Sequence, residues 1–164
     1  MDVIQAIKSR KSIRGYRPDP ISREIIGEIL QAAIRAPSAI NTQPWKIFVI
    51  TGEILDRIKA DNVKMVLSGV PAVFHSGYTG VYSDRQVELG KEIFRLMNIE
   101  RNDKEKRAEW SLRGFRYFDA PVAVILAADK SLIKDSWAVY DIGALAQTIC
   151  LAALKFDLGT CIEE

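Results

Sequence analysis

The sequence predicts an α+β domain in which helices surround a small central sheet, mixed or antiparallel. Two apolar stretches, 45–50 and 121–127, have the length and composition of buried strands. Helical patterns fill most of the remaining chain, and the longest covers 136–156. A chain of 164 residues is long enough to form one domain with its own core, so we expect a single domain over 1–164.

Composition and charge exclude several classes of protein. The net charge of +2 argues against a nucleic-acid-binding surface. The longest apolar runs, such as 121–128, are too short to span a bilayer. The N-terminus lacks the charged and then apolar pattern of a signal peptide. We therefore expect a cytoplasmic protein that binds neither nucleic acid nor membrane.

The cysteines and the histidine predict no metal centre. Cys150 and Cys161 are the two cysteines, and they have neither Cys-x-x-Cys spacing nor a paired histidine. Cys150 falls in an apolar helical pattern, which favours a place in the core. His75 is the one histidine, so a histidine metal cage or a catalytic triad is not expected.

Two helices open the chain. The first covers about 2–10, with Asp2 as its cap and Gln5 at the capping-box position. The second begins after Ser22 and continues to about 35, because apolar residues recur there at helical spacing.

The middle of the chain has weaker patterns. A helix begins at 53–59, and glycines, a proline and interleaved aromatic residues then predict a long loop with short helical turns over 61–83. Helical spacing returns over 84–98. The segment 99–107 is rich in charge and predicts a solvated surface, and 110–117 predicts another helix.

The last helix, 136–156, has one apolar face. That face comprises Val139, Ile142, Leu145, Ile149 and Ala153. Gly159 stands where a glycine in left-handed conformation would end the helix. The residues after it, 160–162, begin an extended segment.

The stretch 36–45, Ala-Pro-Ser-Ala-Ile-Asn-Thr-Gln-Pro-Trp, is the strongest candidate for a binding site. Pro37 and Pro44 each disfavour α geometry in the residue before them, which predicts an extended, rigid loop with unused backbone groups. Such a loop suits a planar ligand rich in heteroatoms. An ordinary connection between a helix and a strand explains the composition equally well.

A cationic segment lies upstream. Arg10, Lys11, Ser12 and Arg14 close the first helix, and cations flanking a hydroxyl suit a phosphate. Cations at a helix C-terminus are also favoured by the helix dipole, so a solvated helix end is the alternative.

In this order and spacing, the two stretches resemble the nitroreductase family of flavin-dependent oxidoreductases. The resemblance runs from the first residues to the last. The matching pieces are Ser-Arg-Lys-Ser-Ile-Arg at 9–14, the 36–45 stretch, Phe-Asp-Ala-Pro-Val at 118–122, Asp-Ile-Gly-Ala-Leu-Ala-Gln at 141–147 and Leu-Gly-Thr-Cys at 158–161.

The resemblance implies a homodimer built on the long helix, with FMN bound at its interface. It implies ping-pong transfer of electrons from NADH or NADPH to a nitroaromatic, quinone or similar electron-poor small molecule. Since the flavin carries the hydride chemistry, no catalytic side chain is expected, although Arg14 would tune the flavin.

By position, Arg10, Lys11 and Ser12 match contacts to the flavin phosphate and ribityl chain, and Arg14 matches a basic residue near its N1–C2 edge. The other implied cofactor-binding residues come from the 36–45 loop of the other subunit and from the C-terminal segment, whose backbone meets N5. They are Pro37, Ser38, Ala39, Asn41, Gln43, Glu163 and Glu164.

The sequence departs from the family at two places. Ala39 stands where a second serine is common, and Glu163 with Glu164 replace a small or apolar pair. Relatives continue past the matching point, so we expect that the chain lacks a C-terminal strand and arm.

The alternatives within the family are a flavin-binding or flavin-storing dimer without turnover, and a different flavin reaction such as dehalogenation. Aromatic residues of the loosely matching region 61–118 would either stack on an aromatic acceptor or pack in the core. They are Phe74, Tyr78, Tyr82 and Phe115.

Overall fold

The computed structural model describes residues 2–69, 77–134 and 136–163. The chain divides into two compact units. The first unit comprises Met1–Ile58 and Tyr117–Glu164, and the second unit comprises Lys59–Arg116. The single domain over 1–164 stays a prediction.

The first two helices begin at the predicted caps. Helix α1 is Val3–Ser9, and the Asp2 carboxylate accepts a hydrogen bond of 2.9 Å from the backbone N–H of Gln5. Helix α2 is Arg23–Ala33, and the Ser22 hydroxyl accepts a bond of 3.3 Å from the N–H of Ile25. Each cap satisfies a backbone donor that has no partner inside its helix.

Both predicted strands are present and pair with each other, but the predicted burial is wrong, because none of their residues is fully buried within this chain. Strand β1 is Trp45–Thr51 and strand β2 is Val122–Ala128; they are antiparallel, with Trp45 opposite Ala128. An isolated parallel bridge joins Ser12 to Thr160. The described residues therefore contain a two-stranded antiparallel sheet, which needs a helix packed against it to be stable.

Helix α6, Ser136–Ala153, supplies that packing, and a 3₁₀ turn at Leu154–Phe156 follows it. The helix packs most extensively against α2 and also contacts both strands. Leu145 is completely buried and Cys150 nearly so, which confirms the core position expected for Cys150.

The predicted apolar face of α6 is only partly correct. Leu145 and Ala153 are buried, but Val139 is exposed and the buried residues at that end are Ala138 and Asp141. The helix is apolar on all sides, so its sequence does not indicate which side meets the rest of the unit.

The end of this helical segment differs from the prediction. Asp157, with φ at +55°, takes the left-handed position assigned to Gly159, and the N–H of Leu158 donates to the Ala153 carbonyl at 3.2 Å. Gly159 is required for another reason. A Cβ atom there would lie 2.8 Å from Cγ1 of Ile13, which is closer than real contacts allow.

The remaining helices are longer than the sequence indicates. Helix α3 is Gly52–Leu67, α4 is Val81–Leu96 and α5 is Lys104–Phe115. The predicted loop over 61–83 is therefore wrong at both ends, and the described glycines of this region, Gly69, Gly77 and Gly80, lie outside these helices. Pro71, Phe74 and His75 lie outside the described residues.

The charged segment 99–107 is also partly helical, since α5 begins within it. The Asp103 carboxylate caps α5 by accepting a hydrogen bond of 2.9 Å from the N–H of Lys106.

Within the second unit, the Asn62 side chain donates to the Phe115 carbonyl at 3.1 Å, which links α3 to α5. The guanidinium of Arg107 lies 4.5 Å from the ring centre of Phe94 and links α5 to α4.

The stretch Ser136–Phe156 is long and apolar enough to cross a membrane by length and composition, with a mean hydropathy of 1.4. About a quarter of its most apolar part, 28%, is buried within the chain. The core helix of a soluble protein passes the same test, so this property is weak evidence for a membrane span.

Candidate functional site

The cationic segment is held beside the C-terminal segment of the chain. Arg10 ends α1 and donates its N–H to the Ala6 carbonyl at 3.1 Å. Beyond it, Ser12 bridges to Thr160, and the N–H of Ile13 donates to the Thr160 carbonyl at 3.0 Å. This pairing places the side chains that follow Arg10 next to residues about 150 positions later in the chain.

Arg14 is supported by an aromatic ring. Its guanidinium lies 5.7 Å from the ring centre of Phe118, and Phe118 is buried. Cation–π stacking of this kind positions a guanidinium while leaving its N–H groups in one plane. Arg14 is therefore a fixed positive charge in a half-buried place.

Arg14 belongs to a polar cluster, which we call the arginine cluster. It consists of Ser12, Arg14, Tyr16, Cys161 and Glu163. The Cys161 thiol donates to Oε1 of Glu163 at 2.8 Å. Burial, and then the Glu163 carboxylate, raise the pKa of Cys161 to about 11, although Arg14 and a hydrogen bond from Ser12 act to lower it. The thiol thus keeps its proton at neutral pH.

Tyr16 behaves in the same way. Burial is the largest cause that raises the pKa of its phenol to about 12, with smaller contributions from Cys161 and Glu163. The phenol is therefore a neutral hydrogen-bonding group at neutral pH.

The loop from Ser38 to Gln43, which we call the 38–43 loop, is closed by its own hydrogen bonds. The Ser38 hydroxyl accepts a bond of 3.1 Å from the N–H of Gln43, and the Gln43 side chain donates to Oδ1 of Asn41 at 3.0 Å. The loop is also tied to α6, since the N–H of Ala39 donates to Oδ2 of Asp141 at 3.0 Å.

The predicted extended conformation of this loop is wrong beyond Ser38. A 3₁₀ turn covers Ala39–Asn41, and three non-glycine residues are left-handed, Ile40 at +44°, Asn41 at +61° and Gln43 at +45°. A proline restricts the residue before it, so Pro37 and Pro44 leave the five positions 38–42 unrestricted. Gln43 is left-handed even though it precedes Pro44. Left-handed side-chain residues are strained and concentrate at functional sites.

The loop faces solvent on its outer side. Ile40 is 96% exposed, and Pro37, Asn41 and Gln43 are exposed as well. An open depression of about 310 Å³ adjoins the loop and is lined in part by Arg35, Ser38 and Asn41. Side-chain and backbone polar groups are therefore presented to any molecule that rests on this surface.

The structure groups the predicted site residues into two sets. Ser12, Arg14 and Glu163 meet in the arginine cluster, directly after Arg10 and Lys11, while the other set forms the 38–43 loop. Glu164 lies outside the described residues.

Three residues of the site were not predicted from the sequence. They are Tyr16, Cys161 and Asp141. Cys161 and Asp141 lie in matching motifs, but no spacing rule links them to Glu163 or to Ala39.

The donors present fit a flavin mononucleotide. Arg10, Lys11 and Ser12 carry charged and hydroxyl donors suited to a phosphate, and the polar groups of the 38–43 loop would suit the edge of a planar ring. Among the described residues, no group of three or more His, Cys, Asp or Glu side chains is placed to hold a metal ion.

Comparison with known proteins agrees with this chemistry. The model of the nitroreductase family matches residues 7–164. The chain is 35% identical to 4-nitrobenzoate reductase of Pseudomonas putida, over 98% of this chain and 71% of that protein. It is 52% identical, over 130 residues that span 68% of this chain and 61% of the relative, to a protein of Thermus thermophilus named NADH dehydrogenase.

A solved structure gives the same result for the fold. The FMN-dependent nitroreductase NfnB from Mycobacterium smegmatis, in complex with NADPH, superposes with a TM-score of 0.88. The match covers 96% of this chain and 72% of that chain at 26% identity. With the family match extending over nearly the whole sequence, the chain belongs to the nitroreductase family.

Proposed function

We propose that this protein is an FMN-dependent oxidoreductase that passes electrons from NADH or NADPH to a nitroaromatic, a quinone or a similar electron-poor molecule. We propose a ping-pong order, in which the oxidised nicotinamide leaves before the acceptor enters. One observation carries the proposal: Arg14 is fixed against Phe118, in the segment that pairs with Thr160. The names of the relatives, a nitrobenzoate reductase and an NADH dehydrogenase, support the same reaction class.

The cationic segment would hold the cofactor. Arg10 offers a planar fork of donors to a phosphate, Lys11 offers a mobile ammonium, and Ser12 offers a hydroxyl. Arg10 is half-buried and Lys11 exposed, so Arg10 is the more preorganised of the two. FMN, when bound, accepts hydride from the nicotinamide and delivers electrons to the acceptor.

Arg14 would tune the reaction. A permanent positive charge lowers the free energy of negative charge that develops nearby, and the effect is largest where water is partly excluded. The half-buried position of Arg14 and its stacking on Phe118 meet both conditions. Tyr16 and Cys161 are neutral groups beside Arg14, so Glu163 is the member of the cluster whose negative charge opposes that of Arg14.

The 38–43 loop would line the flavin ring, together with Pro37. The polar groups of Ser38, Asn41 and Gln43 are held by bonds within the loop, which limits their motion before binding. The backbone of Glu163 and Glu164 would meet the other edge of the ring, and we assign them this role by their position after Thr160.

We propose a homodimer that joins the loop of one subunit to the arginine cluster of the other. Helix α6 is apolar on all sides, yet Trp137, Val139 and Tyr140 remain more than half exposed. A second copy of the chain would cover this surface, since exposed apolar patches of this kind mark contact sites. We place the dimer in the cytoplasm.

Spectroscopy and turnover together test the proposal. The purified chain, supplied with FMN, should show flavin absorbance and oxidise NADH or NADPH only when 4-nitrobenzoate or a quinone is present. Flavin absorbance without turnover for any acceptor would favour flavin storage. Failure to retain FMN above its background binding to albumin would refute the proposed function.

A further inference from the structure

Helix α6 contains a buried carboxylate, Asp141, to which the proposed reaction assigns no role. Asp141 is 2% exposed, and carboxylates are almost never fully buried unless they have a partner. The partner that the structure gives it is the backbone N–H of Ala39, 3.0 Å from Oδ2 and 102 residues earlier in the chain.

This hydrogen bond acts on the first turn of the 38–43 loop. Asn41 donates its N–H to the Ser38 carbonyl at 3.1 Å, and Thr42 donates to the Ala39 carbonyl at 3.0 Å. These bonds fold the loop on itself, but they do not connect it to the rest of the unit. Among the described residues, the hydrogen bond from Ala39 to Asp141 ties the loop to α6.

The loop needs an external restraint because its backbone is strained. Ile40, Asn41 and Gln43 are left-handed without being glycine, and such positions persist only when the surroundings enforce them. A buried carboxylate is a strong acceptor for one backbone amide, because charge-assisted hydrogen bonds are stronger than neutral ones.

We propose that Asp141 is a positioning residue that holds the 38–43 loop in the conformation that receives the flavin ring. The inference deepens the proposed function and depends on it for the identity of the ligand. Asp141 itself touches neither flavin nor substrate; it acts through Ala39.

The test uses the full chain and three variants. Asp141→Ala removes the acceptor, while Asp141→Asn keeps an oxygen that can accept from Ala39. Leu145→Ala, four residues further along the same helix and completely buried, is the matched control for loss of packing alone. Two quantities are measured well below each variant's melting temperature: the hydrogen-exchange rate of the Ala39 amide by NMR, and the dissociation constant for FMN.

We expect Asp141→Ala to speed exchange at Ala39 by at least about tenfold and to weaken FMN binding by about tenfold, the factor for one hydrogen bond to a charged group. Asp141→Asn, whose neutral oxygen is a weaker acceptor, should recover part of both quantities. Leu145→Ala should lower the melting temperature while leaving Ala39 exchange and FMN affinity close to those of the wild type.

Three outcomes would overturn the inference. They are unchanged exchange at Ala39 in Asp141→Ala, faster exchange with unchanged FMN affinity, and an equal loss of affinity in Leu145→Ala. If the wild type itself fails to bind FMN, the proposed function fails, and exchange at Ala39 alone then decides whether Asp141 holds the loop.

Discussion

The two units of the chain are stabilised in different ways. All residues that are buried in the described part of the chain belong to the first unit, including Leu55, Phe118, Asp141 and Leu145. In the second unit, none of the described residues is buried. Its helices are joined by surface interactions, such as Arg107 over Phe94.

We infer from this difference that the first unit is a stable scaffold and that the second unit has lower local stability. Exposed ion pairs contribute little to folding free energy, whereas burial of apolar side chains contributes most of it. The second unit is also where the resemblance to the family is loosest. Because segments that adapt to substrates come from the low-stability part of a fold, we expect this unit to influence the choice of acceptor. Tyr78 and Tyr82 are exposed there and stay candidates for stacking on an aromatic acceptor.

The largest expected effect is on the free energy of unfolding, when the same substitution, leucine to alanine, is made in each unit. Leu145→Ala should lower the free energy of unfolding by about 3–5 kcal/mol, because it leaves a cavity in the core. Leu89→Ala, at a position 55% exposed in α4, should change it by less than about 0.5 kcal/mol. Urea unfolding followed by circular dichroism measures both. Similar losses at the two positions would show that the second unit has a core of its own.

Cofactor affinity gives the next test, because every predicted FMN contact belongs to the first unit. Arg10→Ala should weaken FMN binding by roughly ten- to a hundredfold, the value of a charged hydrogen bond of about 1.5–3 kcal/mol. Lys11→Ala should weaken it less, since an ammonium lacks the planar fork of arginine. Titration of the apo-protein measures both. Arg101→Ala, in the second unit, is the control for loss of a positive charge, and its FMN affinity should match that of the wild type. If Arg10→Ala also bound FMN as tightly as the wild type, the assignment of Arg10 to the phosphate would be wrong.

Two glycines test how tightly each unit is packed. Gly159→Ala should destabilise the first unit by about 1–3 kcal/mol, because its Cβ would lie 2.8 Å from Cγ1 of Ile13. Gly90→Ala, inside α4, meets nothing within 4 Å and should stabilise the second unit by about 0.5–1 kcal/mol through helix propensity. Thermal melting of both variants shows whether each change stabilises or destabilises the protein. A stabilising Gly159→Ala would mean that Ile13 moves aside at no cost.

The smallest effect concerns the Asp103 cap of α5. The hydrogen bond from the N–H of Lys106 is the largest cause that lowers the pKa of this carboxyl from 3.8. A lowered folded pKa means that the stabilising effect is complete above the ordinary pKa and disappears as the pH falls through the lower, folded value. Wild type should therefore exceed Asp103→Asn in stability at neutral pH, and the gap should close below about pH 4.

Urea midpoints measured across this pH range check the prediction for Asp103. Asparagine is the matched control because it can cap the helix but does not titrate. A gap that stays constant down to about pH 2 would mean that the charge of Asp103 is irrelevant to the cap.

Features that depend on neighbouring residues can be predicted from the sequence. The caps Asp2 and Ser22 place the starts of α1 and α2, and the two apolar stretches become β1 and β2. Capping and strand formation follow from side chains within a few positions. Motif order also identified the family, since it needs only the order of short stretches along the chain.

Features that depend on distant contacts follow from the folded chain and not from local sequence. It chose the buried side of α6, which is apolar all round, and it paired Asp141 with Ala39. It also brought Cys161 and Glu163 beside Arg14, and placed Gly159 against Ile13 instead of at the helix end. Asp141, Cys161, Glu163 and Gly159 each meet a partner about 100 residues or more away, so local propensity carries no information about these contacts, and the packing of the folded chain determines them.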